Sequence, residues 1–147
     1  MRYLRQERIP FDVHTYEHLE KGAEFAATAL GLPLERFAKT LVVEAGGDPV
    51  FALMPGDREL SLKKLARAAG AKQAQLADPR DAERLTGYLV GGISPFGARR
   101  PLPAYLEETL LEHERIAINA GQRGVILELA SADVARLLDA SAVDLTA

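Results

Sequence analysis

FAKTLVVEAGGDPVFALM, residues 37–54, is the stretch on which the fold turns. Residues 37–45 form an unbroken run rich in apolar and β-branched side chains, then Gly46 and Gly47 interrupt it, and a second apolar run begins at Val50. Two such runs joined by a Gly-Gly turn predict an antiparallel hairpin, with the turn over 46–49. Working outward, FDVHTY (11–16) alternates and predicts a strand. EFAATAL (24–30) predicts a short helix stopped by Gly31 and Pro33. Ser61 caps a helix over 62–69 that ends at Gly70, and Asp78-Pro79 starts another that runs to about 86. AYLEETLL (104–111) predicts a helix, RIAIN (115–119) and VILEL (125–129) two strands around a Gly-rich turn. Ser131 caps a last helix to about 139, and AVDL (142–145) reads as a final strand. Hairpin-like strand pairs mixed with helices, without regular βαβ units, predict one mixed α/β (α+β) domain over residues 1–147 with a partly antiparallel sheet.

Composition narrows the function classes. The 147 residues carry a net charge of −3 and a pI near 5.6. That balance argues against a protein that holds nucleic acid mainly by charge, because such affinity needs many phosphate contacts. There is no cysteine, hence no disulfide, thiolate nucleophile or thiolate metal site. No uncharged run reaches the ~18 residues of a membrane helix. The first eleven residues, MRYLRQERIPF, are charged rather than apolar, unlike a secretory signal, so a cytoplasmic location is expected.

The second informative stretch is GYLVGGISPFG, residues 87–97, which has no charged side chain although 27% of the chain is charged. A loop this rich in glycine either makes a tight structural crossing or offers its backbone N–H groups to a ligand. Its spacing matches neither a Walker loop nor a dinucleotide fingerprint. Ser94 is not in a G-x-S-x-G elbow, and the following Pro95 has no N–H to serve as an oxyanion donor. Ser94 therefore reads as a turn residue or a ligand contact.

Other residues carry weaker signals. HTYEH (14–18) matches the H-x-x-E-H zinc pattern in letters, but on a strand His14 and His18 lie about 13 Å apart, too far to share a metal. Lys39 shares a strand face with Phe37, Leu41 and Val43. Such a lysine either binds an anion or snorkels from a sheet edge, and periodicity does not separate the two. Tyr16 falls beside Asp12 and His14 on the polar side of the first strand. The basic group Lys63, Lys64, Arg67 and Lys72, like Arg99 and Arg100, is a solvated face or a phosphate contact.

In chain order, HTYEH, KTLVV (39–43), LADP (76–79), TGYLVGGISPFG (86–97) and GQRG with ILEL (121–129) resemble the YbaK family of aminoacyl-tRNA deacylases, relatives of the editing domain of prolyl-tRNA synthetase. The resemblance runs from about Ile9 to Leu138. It implies a barrel-like, mostly antiparallel sheet flanked by helices around one pocket, and cleavage of the ester joining a wrong amino acid to tRNA. It places the family's functional lysine on Lys39 and its pocket tyrosine on Tyr16. The G-x-x-x-P loop falls on Gly91–Pro95, with Gly91 and Gly92 catalytic and Ile93, Ser94, Pro95 and Gly97 contacting substrate. No cofactor and no metal are implied. The implied partners are the acceptor end of a mischarged tRNA and prolyl-tRNA synthetase. Cysteine-specific members carry an aspartate after RG; here that position is Ile126, which opens alanine or serine as targets beside cysteine. A non-catalytic module that binds an amino acid, nucleotide or RNA end for a synthetase is the alternative.

Overall fold

The computed structural model describes residues 2–17, 23–99 and 101–147; His18 and Arg100 lie outside them. Five helices are seen among these residues: α1 (Arg2–Gln6), α2 (Ala23–Leu30), α3 (Leu62–Ala68), α4 (Pro79–Thr86) and α5 (Ser131–Leu138). The strands are β1 (Asp12–Thr15), β2 (Phe37–Ala45), β3 (Asp48–Pro55), β4 (Ala74–Leu76), β5 (Ala104–Glu107), β6 (Arg115–Asn119), β7 (Val125–Ala130) and β8 (Ser141–Val143). They form one mixed sheet in the order β1-β7-β6-β2-β3-β5-β8, with β4 attached to β2. Among the described residues four strand pairs are antiparallel and three parallel.

The β2–β3 hairpin is tighter than its letters suggest. Ala45 pairs with Asp48, so Gly46 and Gly47 alone make the turn, at φ of +60° and +89°. Two successive positive φ angles mark a type I′ turn, whose twist matches that of the strands. β3 therefore begins two residues earlier than expected. Both faces of the hairpin are buried. Val42, Phe51 and Leu53 pack into the larger core with Leu4, Leu106, Ile116, Ile118 and Leu127. Val43, Ala52 and Met54 pack on α3 through Leu65. α2 covers a third patch, where Ala27 meets Phe37, Ala117 and Ile126.

The caps follow the sequence. Ser61 accepts from Lys64 N at 3.2 Å, and Asp78 from Arg80 N at 2.9 Å. Gly87 ends α4 at φ +80°.

Two expectations are corrected. Residues 104–111 are not a helix: Ala104–Glu107 form β5, and Glu108–Glu112 form a 3₁₀ turn. Ala, Leu and Glu favour helix locally, but β3 and β8 flank this segment on both sides and supply a ladder. Glu107 is buried, and its carboxylate accepts from Thr109 N and Leu145 N, both at 2.9 Å. Nor does the Ser131 side chain cap α5, because its hydroxyl donates to the His113 carbonyl instead. α1 and the short β4 carry too little periodicity to be foreseen.

The site follows from how β2 is shared. β3 occupies one edge of β2 along Ala38–Ala45. On the other edge β6 pairs only with Phe37 and Ala38, and β4 only with Val43 to Ala45. The sheet is split between them, and residues 39–42 face the split without a strand neighbour.

Candidate active site

A cavity of about 340 Å³ occupies that split. β2 contributes Lys39, Thr40, Leu41 and Val42, and Asn119 closes it from the end of β6. Leu76, Ala77, Pro79 and Ala82 line it from β4 and α4, and Val90, Gly91 and Ile93 from the glycine loop. The walls are mostly apolar, with a few polar groups, as in small-molecule sites generally.

Lys39 is half-buried in a strand interior to the sheet order, at the split where β2 lacks a neighbour on one side. Its ammonium makes no ion pair among the described residues. A cation beside an apolar cavity without a carboxylate partner is suited to receive an anionic or strongly polar ligand. Thr40 alternates to the opposite face of β2, and its buried hydroxyl has no hydrogen-bond partner among the described residues.

Gly91 stands at φ +96°, and its N–H meets no acceptor among the described residues. Gly92 faces elsewhere. A Cβ built there would lie 2.9 Å from Arg123 N and 3.0 Å from Gln122 C, so this glycine lets the loop cross the β6–β7 turn. Gly121 repeats the device from the other side, because a Cβ on it would strike the Tyr88 ring at 2.5 Å. The loop thus combines a structural crossing at Gly92 with a cavity wall at Gly91.

Of the residues singled out in the sequence, Lys39, Gly91 and Ile93 meet at this cavity. Gly92, Ser94, Pro95, Gly97, Tyr16 and Ile126 are not in its wall. Ser94 is buried, and its Oγ accepts from Phe96 N at 3.1 Å, which makes a tight local turn. Pro95 is buried behind the loop, and Gly97, at φ +63°, lies over Tyr88. Ile126 is fully buried under α2, with Tyr16 packed beside it. The Tyr16 N–H donates to Gly124 O at 3.0 Å, which ties it to the GQRG turn.

His14 Nε2 lies 3.0 Å from Glu128 Oε1, so this half of HTYEH sits in an ion-pair network; His18 is outside the described residues. Lys64 pairs with Asp144 at 2.8 Å on α3, away from the cavity.

Sequence reasoning missed the supports of the loop. Tyr88 Oη donates to Phe96 O at 2.6 Å, and Thr86 Oγ1 accepts from Tyr88 N at 3.1 Å. Burial raises the Tyr88 pKa above its ordinary value of 10.0, which keeps the phenol a donor. Glu83 and Arg123 hold Val90. Arg123, in the GQRG turn, had a signal available: a lone arginine between glycines next to an uncharged loop.

Comparison with known proteins decides the family. The family described as aminoacyl-tRNA editing domain matches residues 18–137. This chain belongs to that family. Two curated relatives match over most of the chain. EbsC of Enterococcus faecalis (strain ATCC 700802 / V583), named as a candidate Cys-tRNA(Pro)/Cys-tRNA(Cys) deacylase, is 36% identical over 99% of this chain and 91% of its own. ProXp-y of Escherichia coli (strain K12), named a multifunctional Ser/Thr-tRNA deacylase, is 34% identical over 91% of this chain and 83% of its own. A crystal structure described as a candidate trans-editing enzyme for prolyl tRNA synthetase superposes with a TM-score of 0.86, at 28% identity, over 93% of this chain and 87% of its own. The editing domain is thus an aminoacyl-tRNA deacylase family enzyme, and its single α/β domain with a mixed sheet and flanking helices bears out the expected fold. No helix among its described residues is long and apolar enough to cross a membrane.

Proposed function

We propose that this editing domain acts in trans on mischarged tRNA and cleaves the ester of a small misattached amino acid, cysteine first and alanine or serine next, from tRNA(Pro) or related tRNAs. The observation that carries the reading is the meeting, at one small, mostly apolar cavity, of Lys39 and a Gly91 N–H that has no acceptor among the described residues. An aminoacyl ester is already activated, so the site needs positioning and carbonyl polarisation more than a nucleophile of its own. The Gly91 N–H polarises the ester carbonyl and takes up charge as it develops. Lys39 orients the terminal ribose or its phosphate. The attacking group is the substrate's own thiol when cysteine is attached, and a positioned water otherwise.

Such an activity answers a limit of synthetases. A pocket made for proline gains only about 1–3 kcal/mol of discrimination from one missing methylene, so a second sieve removes what slips through. With a net charge of −3, this protein has a weak charge-based grip on a tRNA body. Its choice of tRNA then comes from association with prolyl-tRNA synthetase, in the cytoplasm. Incubating the purified protein with Cys-, Ala-, Ser- and Pro-tRNA tests the reading. Rapid loss of a small non-cognate ester, with Pro-tRNA spared, is expected. Binding without ester loss would instead establish the non-catalytic module.

A further inference from the structure

Val90 is gripped at both ends by side chains from two other elements, the helix just before it and the distant β6–β7 turn. Its N–H donates to Glu83 Oε2 of α4 at 2.8 Å. Its carbonyl accepts from Arg123 Nε at 2.9 Å and from Arg123 Nη2 at 2.6 Å, a two-pronged grip from the β6–β7 turn. Glu83 and Arg123 form no ion pair with each other among the described contacts, so each is committed to the loop backbone.

The Val90 carbonyl and the Gly91 N–H belong to the same peptide plane and point in opposite directions. Fixing one aims the other. Arg123 lies in a separate hollow with Tyr88, Leu89, Gly92 and Gly121, whereas Val90 and Gly91 line the cavity. A carbonyl drawn toward Arg123 therefore turns the Gly91 N–H away from that hollow and toward the cavity. A guanidinium on the carbonyl also polarises the amide, which makes its N–H a stronger donor.

We propose that Arg123 and Glu83 are positioning residues for ester cleavage: Arg123 fixes the 90–91 peptide and Glu83 the 89–90 peptide before it, so that the Gly91 N–H points at the substrate carbonyl. This rests on the deacylase reading above. Loss of the grip frees the peptide to rotate, and the cost falls on the transition state, where charge on the oxygen is greatest, more than on substrate binding.

The test compares Arg123→Met, Arg123→Lys, Glu83→Leu and Glu83→Gln in deacylation kinetics, with thermal melts of each. Arg123→Met is expected to lower kcat by about 10²-fold, the scale of one lost oxyanion donor, with KM changed less than about threefold. Arg123→Lys, which keeps a single donor, should fall between. Glu83→Gln keeps a carbonyl oxygen for the Val90 N–H and should recover most of what Glu83→Leu loses. Unchanged kcat in folded Arg123→Met, or equal losses in Glu83→Gln and Glu83→Leu, would overturn the proposal. A second measurement uses an amide-linked alanyl-adenosine, which is not hydrolysed. Its binding should shift the Gly91 amide proton downfield in the wild-type protein and less in Arg123→Met; equal shifts in both would also overturn it. Wild-type protein inactive on every mischarged tRNA would sink the deacylase reading instead, and the amide measurement would still judge the aim of Gly91.

Discussion

An alanine at position 92 would put its Cβ 2.9 Å from Arg123 N and 3.0 Å from Gln122 C. Both neighbours are backbone atoms and cannot swing aside. Gly92→Ala is therefore expected to destabilise the fold by about 1–3 kcal/mol, the usual penalty for overpacking. At roughly 3 °C per kcal/mol for a chain of this size, a thermal melt reads it directly. Gly91→Ala differs in kind, because its strain is the φ of +96° and its harm falls on the cavity wall. Lys39→Ala should do the reverse of Gly92→Ala. Lys39 has no ion-pair partner among the described residues, so the melt should barely move, while kcat/KM for deacylation falls by about 10²–10³-fold. Normal turnover by folded Lys39→Ala would remove Lys39 from the mechanism.

At the scale of elements, β5 shows tertiary pairing overriding local preference. Its last residue, Glu107, is buried yet satisfied, because it starts the following 3₁₀ turn through Thr109 and holds the Leu145 N–H. Glu107→Ala leaves the Leu145 N–H buried without an acceptor, at a cost of about 1–3 kcal/mol. Glu107→Gln keeps an acceptor oxygen and should lose less; equal midpoints for the two variants in urea would contradict this account. The hairpin and the split in the sheet are linked in the same way. β2 is long enough for β6 and β4 to share one edge with a gap between them, and the cavity fills that gap.

Across the whole molecule, Glu128 ties three elements of the sheet to one side. It takes His14 of β1 at 3.0 Å and Arg36, just before β2, at 2.8 Å, while Arg115 of β6 lies at 3.7 Å. The His14 hydrogen bond, with the charge of Arg115 and the hydrogen bond and charge of Arg36, outweighs the opposing effect of burial and holds its carboxyl below the ordinary 4.5. A depressed folded-state pKa means stability that is complete above pH 4.5 and lost as pH falls through the folded value. Glu128→Gln should consequently flatten the decline in stability below pH 4.5, as read from urea midpoints across pH 3–6. An unchanged acid limb in that variant would show that the network adds nothing to folding.

Local chemistry determined much on its own. The hairpin at 37–54 and the caps at Ser61 and Asp78 were legible because each depends on residues adjacent in the chain. Lys39 and the 87–97 loop stood out, because a lysine on an apolar face and an uncharged glycine run are odd wherever they end up, but local chemistry left open whether each meets a ligand or serves the fold. Tertiary structure decided what no short window contains. It made 104–107 a strand, because two partners stood on either side. It divided the paired glycines, sending Gly92 to a backbone crossing and Gly91 to the cavity. It also brought Glu83 and Arg123, forty residues apart in sequence, onto the two peptide groups of one residue, Val90. Caps and turns are set by neighbours in sequence, whereas cavities and grips are set by which strand edges meet, and only the folded chain specifies that.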